Sequence, residues 1–150
     1  MDATLGNKLR RCLGAARKHV AYLATVDVDA GHAPEVRPVS LMERDWRFYI
    51  ATRADSRKAR EMSEHPKAAA LVHFRDEKHS GYLRLTGGVE KVDDASLRRE
   101  VVEASKYPIT HLGTGADDPA VFFARIVPYR IEFMEPGEET AVDVTSSFPR

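Results

Sequence analysis

The chain is poor in the features that usually announce chemistry: it has one cysteine, one tryptophan, and 23 basic residues cancelled by 23 acidic ones. Cys12 alone excludes an internal disulfide. The balanced charge excludes a global field that would draw the protein to nucleic acid or anionic lipid, so any anion site must be local. No apolar run approaches the ~20 residues that cross a bilayer. The first residues, Met1 to Arg11, carry charges where a secretory leader needs an apolar core, so a cytoplasmic location is expected. The six histidines show no i, i+4 pair and no nearby cysteine, which argues against zinc or any other bound metal. No Gly-x-Ser-x-Gly elbow is present. Gly113-Thr114-Gly115 runs into Asp117-Asp118-Pro119 instead of a helix with open amides, and reads as a surface loop.

What is there is the balance of a globular protein, 43% apolar and 31% charged over 150 residues, expected to form one domain. Leu5, Leu9, Cys12, Leu13 and Ala16 recur at helical steps and predict an N-terminal amphipathic helix over 5–18. From Val20 the period changes to two: Val20, Tyr22, Ala24, Val26 and Val28 alternate before the turn-like Asp29-Ala30-Gly31-His32. Glu35 to Met42 predicts a second strand, Glu43-Arg44-Asp45 a turn, and Trp46 to Thr52 a third strand, whose aromatics read as core. A short helix opens at Asp55 or Ser56 and stops at His65-Pro66. Ala68 to Phe74 and Tyr82 to Val92 follow as strands, the latter interrupted by Gly87-Gly88, then a helix from about Asp94 to Lys106 and a last strand from Phe122 to Phe133. This order lacks the regular strand–helix alternation of a parallel sheet. A mainly β, α+β architecture is expected: an antiparallel barrel with flanking helices, its core over about 20–134, followed by a polar tail over 135–150.

The stretch from Val36 to Pro66 carries the chemistry. Arg37 lies on a strand, and Ser56-Arg57-Lys58 stands at the mouth of a helix, where unpaired amides and the positive end of the helix dipole favour an anion. Cations in a first helical turn work against that dipole, so a compensating ligand gives the local choice a reason. Arginine offers a planar fork of donors and lysine a point charge, a pairing suited to a phosphate monoester. An ordinary solvated helix start is the rival reading.

Val36-Arg37-Pro38-Val39-Ser40, Phe48-Tyr49-Ile50-Ala51-Thr52 and Ser56-Arg57-Lys58-Ala59-Arg60-Glu61-Met62, ending in His65-Pro66, resemble the flavin-binding signature of the pyridoxamine 5′-phosphate oxidase-like split barrels. Tyr82 to Glu90 and Ile131-Glu132-Phe133 are similar to later strands of that family, so the likeness runs from about Val20 to Met134. The resemblance implies a six-stranded split β-barrel that forms a homodimer and holds FMN at the subunit interface. It implies that Arg37, Ser56, Arg57 and Lys58 hold the phosphate, that Val39, Ser40, Ala51 and Thr52 line the isoalloxazine or ribityl chain, and that Tyr82 and Thr86 come from the partner. The implied activity is that of a flavin-dependent oxidoreductase acting at flavin N5 on a small redox substrate, with no catalytic acid or base assigned. Rival readings on the same fold are a non-enzymatic flavin or stress-related carrier and a barrel that takes deazaflavin or haem. Tyr82 stands where the authentic oxidases have Gln and Met134 where they have Trp, and the tail lacks their Arg- and His-bearing grip on pyridoxal phosphate. The likeness is therefore to the general-stress-protein branch rather than to a vitamin B6 oxidase.

Overall fold

The computed structural model describes residues 1–150. Helix α1 spans Ala3–Leu13, capped by the Asp2 carboxylate on the amides of Thr4 and Leu5. It stops earlier than the periodicity predicts, because Gly14 takes φ 77° and returns its amide to Arg10. Residues expected to continue the helix instead lead into strand β1, Lys18–Asp27. Strands β2 (Ala33–Arg44) and β3 (Arg47–Arg53) follow, turned by Asp45 and Trp46, both at positive φ. Trp46 thus belongs to a tight turn and not to the strand. Helix α2 (Arg57–Glu64), strands β4 (Lys67–Arg75) and β5 (Ser80–Lys91), helix α3 (Ala95–Ser105) and strand β6 (Val121–Met134) complete the main body.

All pairings are antiparallel, in the order β3-β2-β1-β4-β5-β6, and β3 pairs with β6 from Phe48↔Ile126 to Arg53↔Val121. That last ladder closes a six-stranded barrel of the expected class. The polar tail is more ordered than its composition suggests. A two-residue strand, β7 (Val142–Asp143), adds to β6, and Phe148 is buried against Trp46 and Phe48.

Leu23, Leu41, Phe48, Ile50, Leu85 and Ile126 fill the barrel with almost no exposure. A second cluster lies outside the barrel wall, where α3 and the segment after it cover Met42, Tyr49, Ala51 and Phe123. Gly87 sits at a bulge between β5 and β6. A Cβ there would lie 2.1 Å from the Val127 carbonyl oxygen, so the close approach requires glycine.

The phase of β1 is the opposite of what its apolar alternation suggests. His19, Ala21, Leu23, Thr25 and Asp27 point inward, while Val20 and Tyr22 are 69% and 50% exposed. Val36 on β2 is 66% exposed beside them. Thr25 and Asp27 are tolerated inside because Arg37 and Glu61, and Arg60, reach them from other elements, as a buried polar group requires, whereas His19 Nε2 is buried without a hydrogen-bond partner. At one barrel end Glu43, fully buried, meets Arg10 at 2.7 Å and Arg17 at 3.2 Å and accepts the Trp46 amide at 2.8 Å. Arg10 also lies 3.7 Å over the Trp46 ring, which fastens α1 to the barrel. Burial holds the neighbouring His19 below the usual imidazole range, against the pull of Glu43.

Candidate functional site

Strands β2 and β3 run together only from Leu41↔Ile50 to Arg44↔Arg47. Beyond Leu41, β2 continues toward Ala33 paired with β1, and beyond Ile50, β3 continues to Arg53 paired with β6. The two strands part at this point, each leaving one edge of its backbone without a ladder partner. Val39 and Ser40 lie on one side of the split, Ala51 and Thr52 on the other. Ala51 and Thr52 are both buried, and buried backbone groups need hydrogen-bond partners.

The loop that leaves β3 leads directly into α2. Ser56 caps the helix, its Oγ accepting the Ala59 amide at 3.3 Å and lying 3.3 Å from Thr52 Oγ1. The amides of Arg57 and Lys58 have no partner within the helix, as at any helix start. Arg37 projects from β2 into the same region. It donates from Nη2 to Glu61 Oε2 at 2.6 Å and from Nη1 to Thr25 Oγ1, and Thr25 Oγ1 lies 2.5 Å from the same carboxylate oxygen. Arg57 reaches Glu35 at 2.7 Å and Glu61 at 3.0 Å. Lys58 has no carboxylate within ion-pair distance among the salt bridges of the chain.

Two electrostatic consequences follow. Burial, with the Arg37 guanidinium second, pushes the Lys58 ammonium below the usual lysine range. Glu61 is completely buried, which alone would raise its pKa; hydrogen bonds from Thr25 and Arg37 and the charges of Arg37 and Arg57 outweigh that and hold it below the usual carboxylate range. The region thus keeps one cation with no acidic partner, beside two whose charge is shared with carboxylates.

The structure brings Arg37, Thr52, Ser56, Arg57 and Lys58 to one end of the split, with Val39 and Ser40 along β2 above them. Ala51 differs: its side chain is buried in the second cluster, leaving only its backbone toward the opening. Tyr82 and Thr86 are not part of this group in the single chain. They lie on β5, separated from β2 by β1 and β4, with Tyr82 under the Arg84 guanidinium. Glu61 and Thr25 are members of the cluster that the residue patterns do not single out. The one available signal was the i, i+4 spacing of Arg57 and Glu61, which ordinarily denotes a solvent-facing helix pair. A cavity of about 810 Å³ lies elsewhere, between β6 and the C-terminal segment, lined by Tyr129, Ile131, Thr145 and Phe148 among others, and contains none of these groups.

The family model described as pyridoxamine 5'-phosphate oxidase matches residues 8–135. The chain belongs to this family. Membership places it among flavin-type split barrels. Among curated members, the pyridoxine/pyridoxamine 5'-phosphate oxidase of Azorhizobium caulinodans is 42% identical over 74 residues, which is 49% of this chain and 33% of that protein. The chain therefore spans about a third of the length of this family relative. General stress protein 26 of Bacillus anthracis superposes with a TM-score of 0.68 at 19% identity, covering 93% of this chain and 98% of that one. A FAD-binding protein of Mesorhizobium loti gives 0.67 at 18% identity over 89% and 94% of the two chains. A heme binding protein of Mycobacterium smegmatis gives 0.71 at 17% over 93% and 57%. At these identities the structural likeness speaks to the shared barrel.

Proposed function

We infer that this chain binds flavin mononucleotide in the split between β2 and β3 and works as a flavin-dependent oxidoreductase on a small-molecule substrate. The observation that carries the reading is the coincidence, at one point of the barrel, of an open backbone edge and a cation cluster with positive charge to spare. The donor set fits the group: a planar ring system with polar edges suits unpaired strand backbone, and a phosphate monoester suits Lys58, Arg37 and the first-turn amides of α2. Arg37, Ser56, Arg57 and Lys58 hold the phosphate. Val39, Ser40, Thr52 and the Ala51 backbone line the ribityl and ring portions.

When bound, FMN supplies the hydride or electron chemistry. The chain's own contribution is to bind, to orient and to exclude water. Thr25 and Glu61 hold the Arg37 guanidinium from below, which fixes the direction of its remaining donors before the ligand arrives. A second copy of the chain completes the site in this reading. Val20, Tyr22 and Val36 form an exposed apolar strip on β1 and β2, and covering each such side chain contributes roughly 1–2 kcal/mol. Across that interface Tyr82 and Thr86 of a partner chain reach the flavin. A cytoplasmic location agrees with the lone cysteine, and no helix is long and apolar enough to span a membrane.

The test is the identity of the ligand released when the purified protein is denatured, read by mass spectrometry alongside its absorbance spectrum. FMN, with turnover when reduced nicotinamide and a panel of acceptors are added, supports the reading. FMN held without turnover on any donor reduces it to a carrier. A haem or deazaflavin band replaces the cofactor assignment altogether.

A further inference from the structure

The cluster contains a group that a phosphate site should avoid: a fully buried carboxylate. Glu61 is enclosed by Thr25 of β1, Arg37 of β2 and Arg57 of its own helix, with no solvent exposure. A structural tie between α2 and the barrel would need only hydrogen bonding, which a neutral amide of the same shape supplies. Yet Oε2 takes both good hydrogen bonds, and Oε1 accepts none, although Arg57 Nε sits 3.0 Å away in poor alignment. A buried charge whose second oxygen is left without a hydrogen bond is held there by its charge. Its two cationic neighbours are the arginines assigned above to the phosphate.

The charge count shows why. Arg37, Arg57 and Lys58 crowd the start of α2, and the helix dipole adds positive potential. Glu61 and Glu35 are the acids within reach of the arginines, and together they leave a surplus of one positive charge. Without Glu61 the ligand-free cluster would hold mutually repelling cations at the start of α2. With it, the arriving phosphate meets a carboxylate of its own sign behind the arginines. Arg60 lies outside this balance, since Asp27 and Asp29 engage it.

We propose that Glu61 is an internal counter-ion of the phosphate cradle, a positioning residue that stabilises the ligand-free protein and holds Arg37 in place at the expense of ligand affinity. The inference rests on the phosphate reading of the cluster. Its signature is a pair of opposite effects. Removing the charge while keeping the shape, in Glu61→Gln, should lower the melting temperature of the ligand-free chain by several degrees. The same change should tighten FMN binding about tenfold, because one like-charge interaction at short range is gone. Riboflavin, which lacks the phosphate, should bind the variant and the parent alike.

The experiment is a fluorescence titration of FMN and of riboflavin against the parent, Glu61→Gln, Glu35→Gln and Lys58→Met, with thermal melts of each ligand-free protein. Tighter FMN, unchanged riboflavin and a lower melting temperature in Glu61→Gln support the proposal. Weaker binding of both flavins in that variant makes Glu61 a structural residue and overturns it, as does unchanged FMN affinity. Should Glu61→Gln fail to fold, Glu35→Gln poses the same question at a half-exposed position: FMN affinity should rise about two- to threefold, and a fall overturns the proposal. Lys58→Met separates this inference from the reading beneath it. If that variant binds FMN like the parent, the phosphate assignment itself fails and the inference with it. If it weakens FMN but not riboflavin while Glu61→Gln leaves FMN unchanged, only the counter-ion role is lost.

Discussion

Lys58 and Arg57 are adjacent cations at the same helix start, and the structure predicts that they are not equivalent. Lys58→Met keeps most of the aliphatic stem and removes the one cluster charge without a carboxylate at ion-pair distance, Glu61 acting on it only from farther off. A charge-assisted hydrogen bond to a ligand is worth about 1.5–3 kcal/mol, so FMN affinity should fall about 10- to 150-fold. The ligand-free variant should melt no lower than the parent, because burial and Arg37 already disfavour the Lys58 ammonium. Arg57→Ala should reverse this balance. Its guanidinium is engaged by Glu35 at 2.7 Å and Glu61 at 3.0 Å, so binding should weaken only about tenfold, from lost charge. Stability should fall, by about 1–3 kcal/mol, because Glu61 keeps its burial and loses a cation. Titration of FMN by quenching of its fluorescence, paired with urea denaturation, measures both quantities. A larger loss of affinity in Arg57→Ala than in Lys58→Met would refute the assignment of Lys58 as the free cation. The depressed pKa of Lys58 adds a sign: parent affinity should begin to fall at a pH below the ~10.4 of an ordinary lysine, and Lys58→Met should lack that step.

Other perturbations test other parts of the structure. Glu61 is held below the usual carboxylate range, so its stabilising contribution is full above the unfolded value of about 4.3 and is lost as pH falls through the lower folded value; urea midpoints against pH should show this acid-side loss in the parent and less of it in Glu61→Gln. Gly87→Ala places a Cβ 2.1 Å from Val127 O and 2.6 Å from the Pro128 Cα, and should destabilise by about 2–4 kcal/mol; a melt within a degree of the parent would mean the bulge relaxes freely. The proposed pairing of two copies through the exposed strip of β2 requires a dimer in solution that Val36→Glu turns into a monomer with unchanged circular dichroism, as read by light scattering coupled to gel filtration; a parent that is already monomeric overturns the pairing.

The order of elements was legible because the hydrophobic period changes between two and about 3.6 along most of the chain, although it carried α1 past Leu13, and because Asp94 and His65-Pro66 mark helix ends by local chemistry. What the period did not reveal is which face of β1 turns inward. Val20 and Tyr22 carry the stronger apolar signal, yet Thr25 and Asp27 occupy the interior because Arg37 and Glu61, and Arg60, reach them from distant positions. Such partners have no signature in a local window. The same reason hid Glu61, and it hid the Arg10–Glu43 pair that closes the barrel end, since both are ties between elements far apart in the chain. Arg37 and Ser56 to Lys58 were legible as a cationic group at a helix start because helix-start chemistry is local, whereas the parting of β2 and β3 depends on where a ladder ends and is visible only in three dimensions.

The seam between β3 and β6 joins Phe48 to Ile126 and Arg53 to Val121 across about half of the chain's length. Contacts so remote in sequence slow folding, because the loop-closure entropy must be met before the seam rewards it. Synthesis therefore finishes the hairpin bearing Arg37 and the helix bearing Lys58 well before the strand that clamps β3 exists. Until β6 arrives, the two banks of the split between β2 and β3 are tethered on one side alone, and the final zipping of this wall is the event that sets its width.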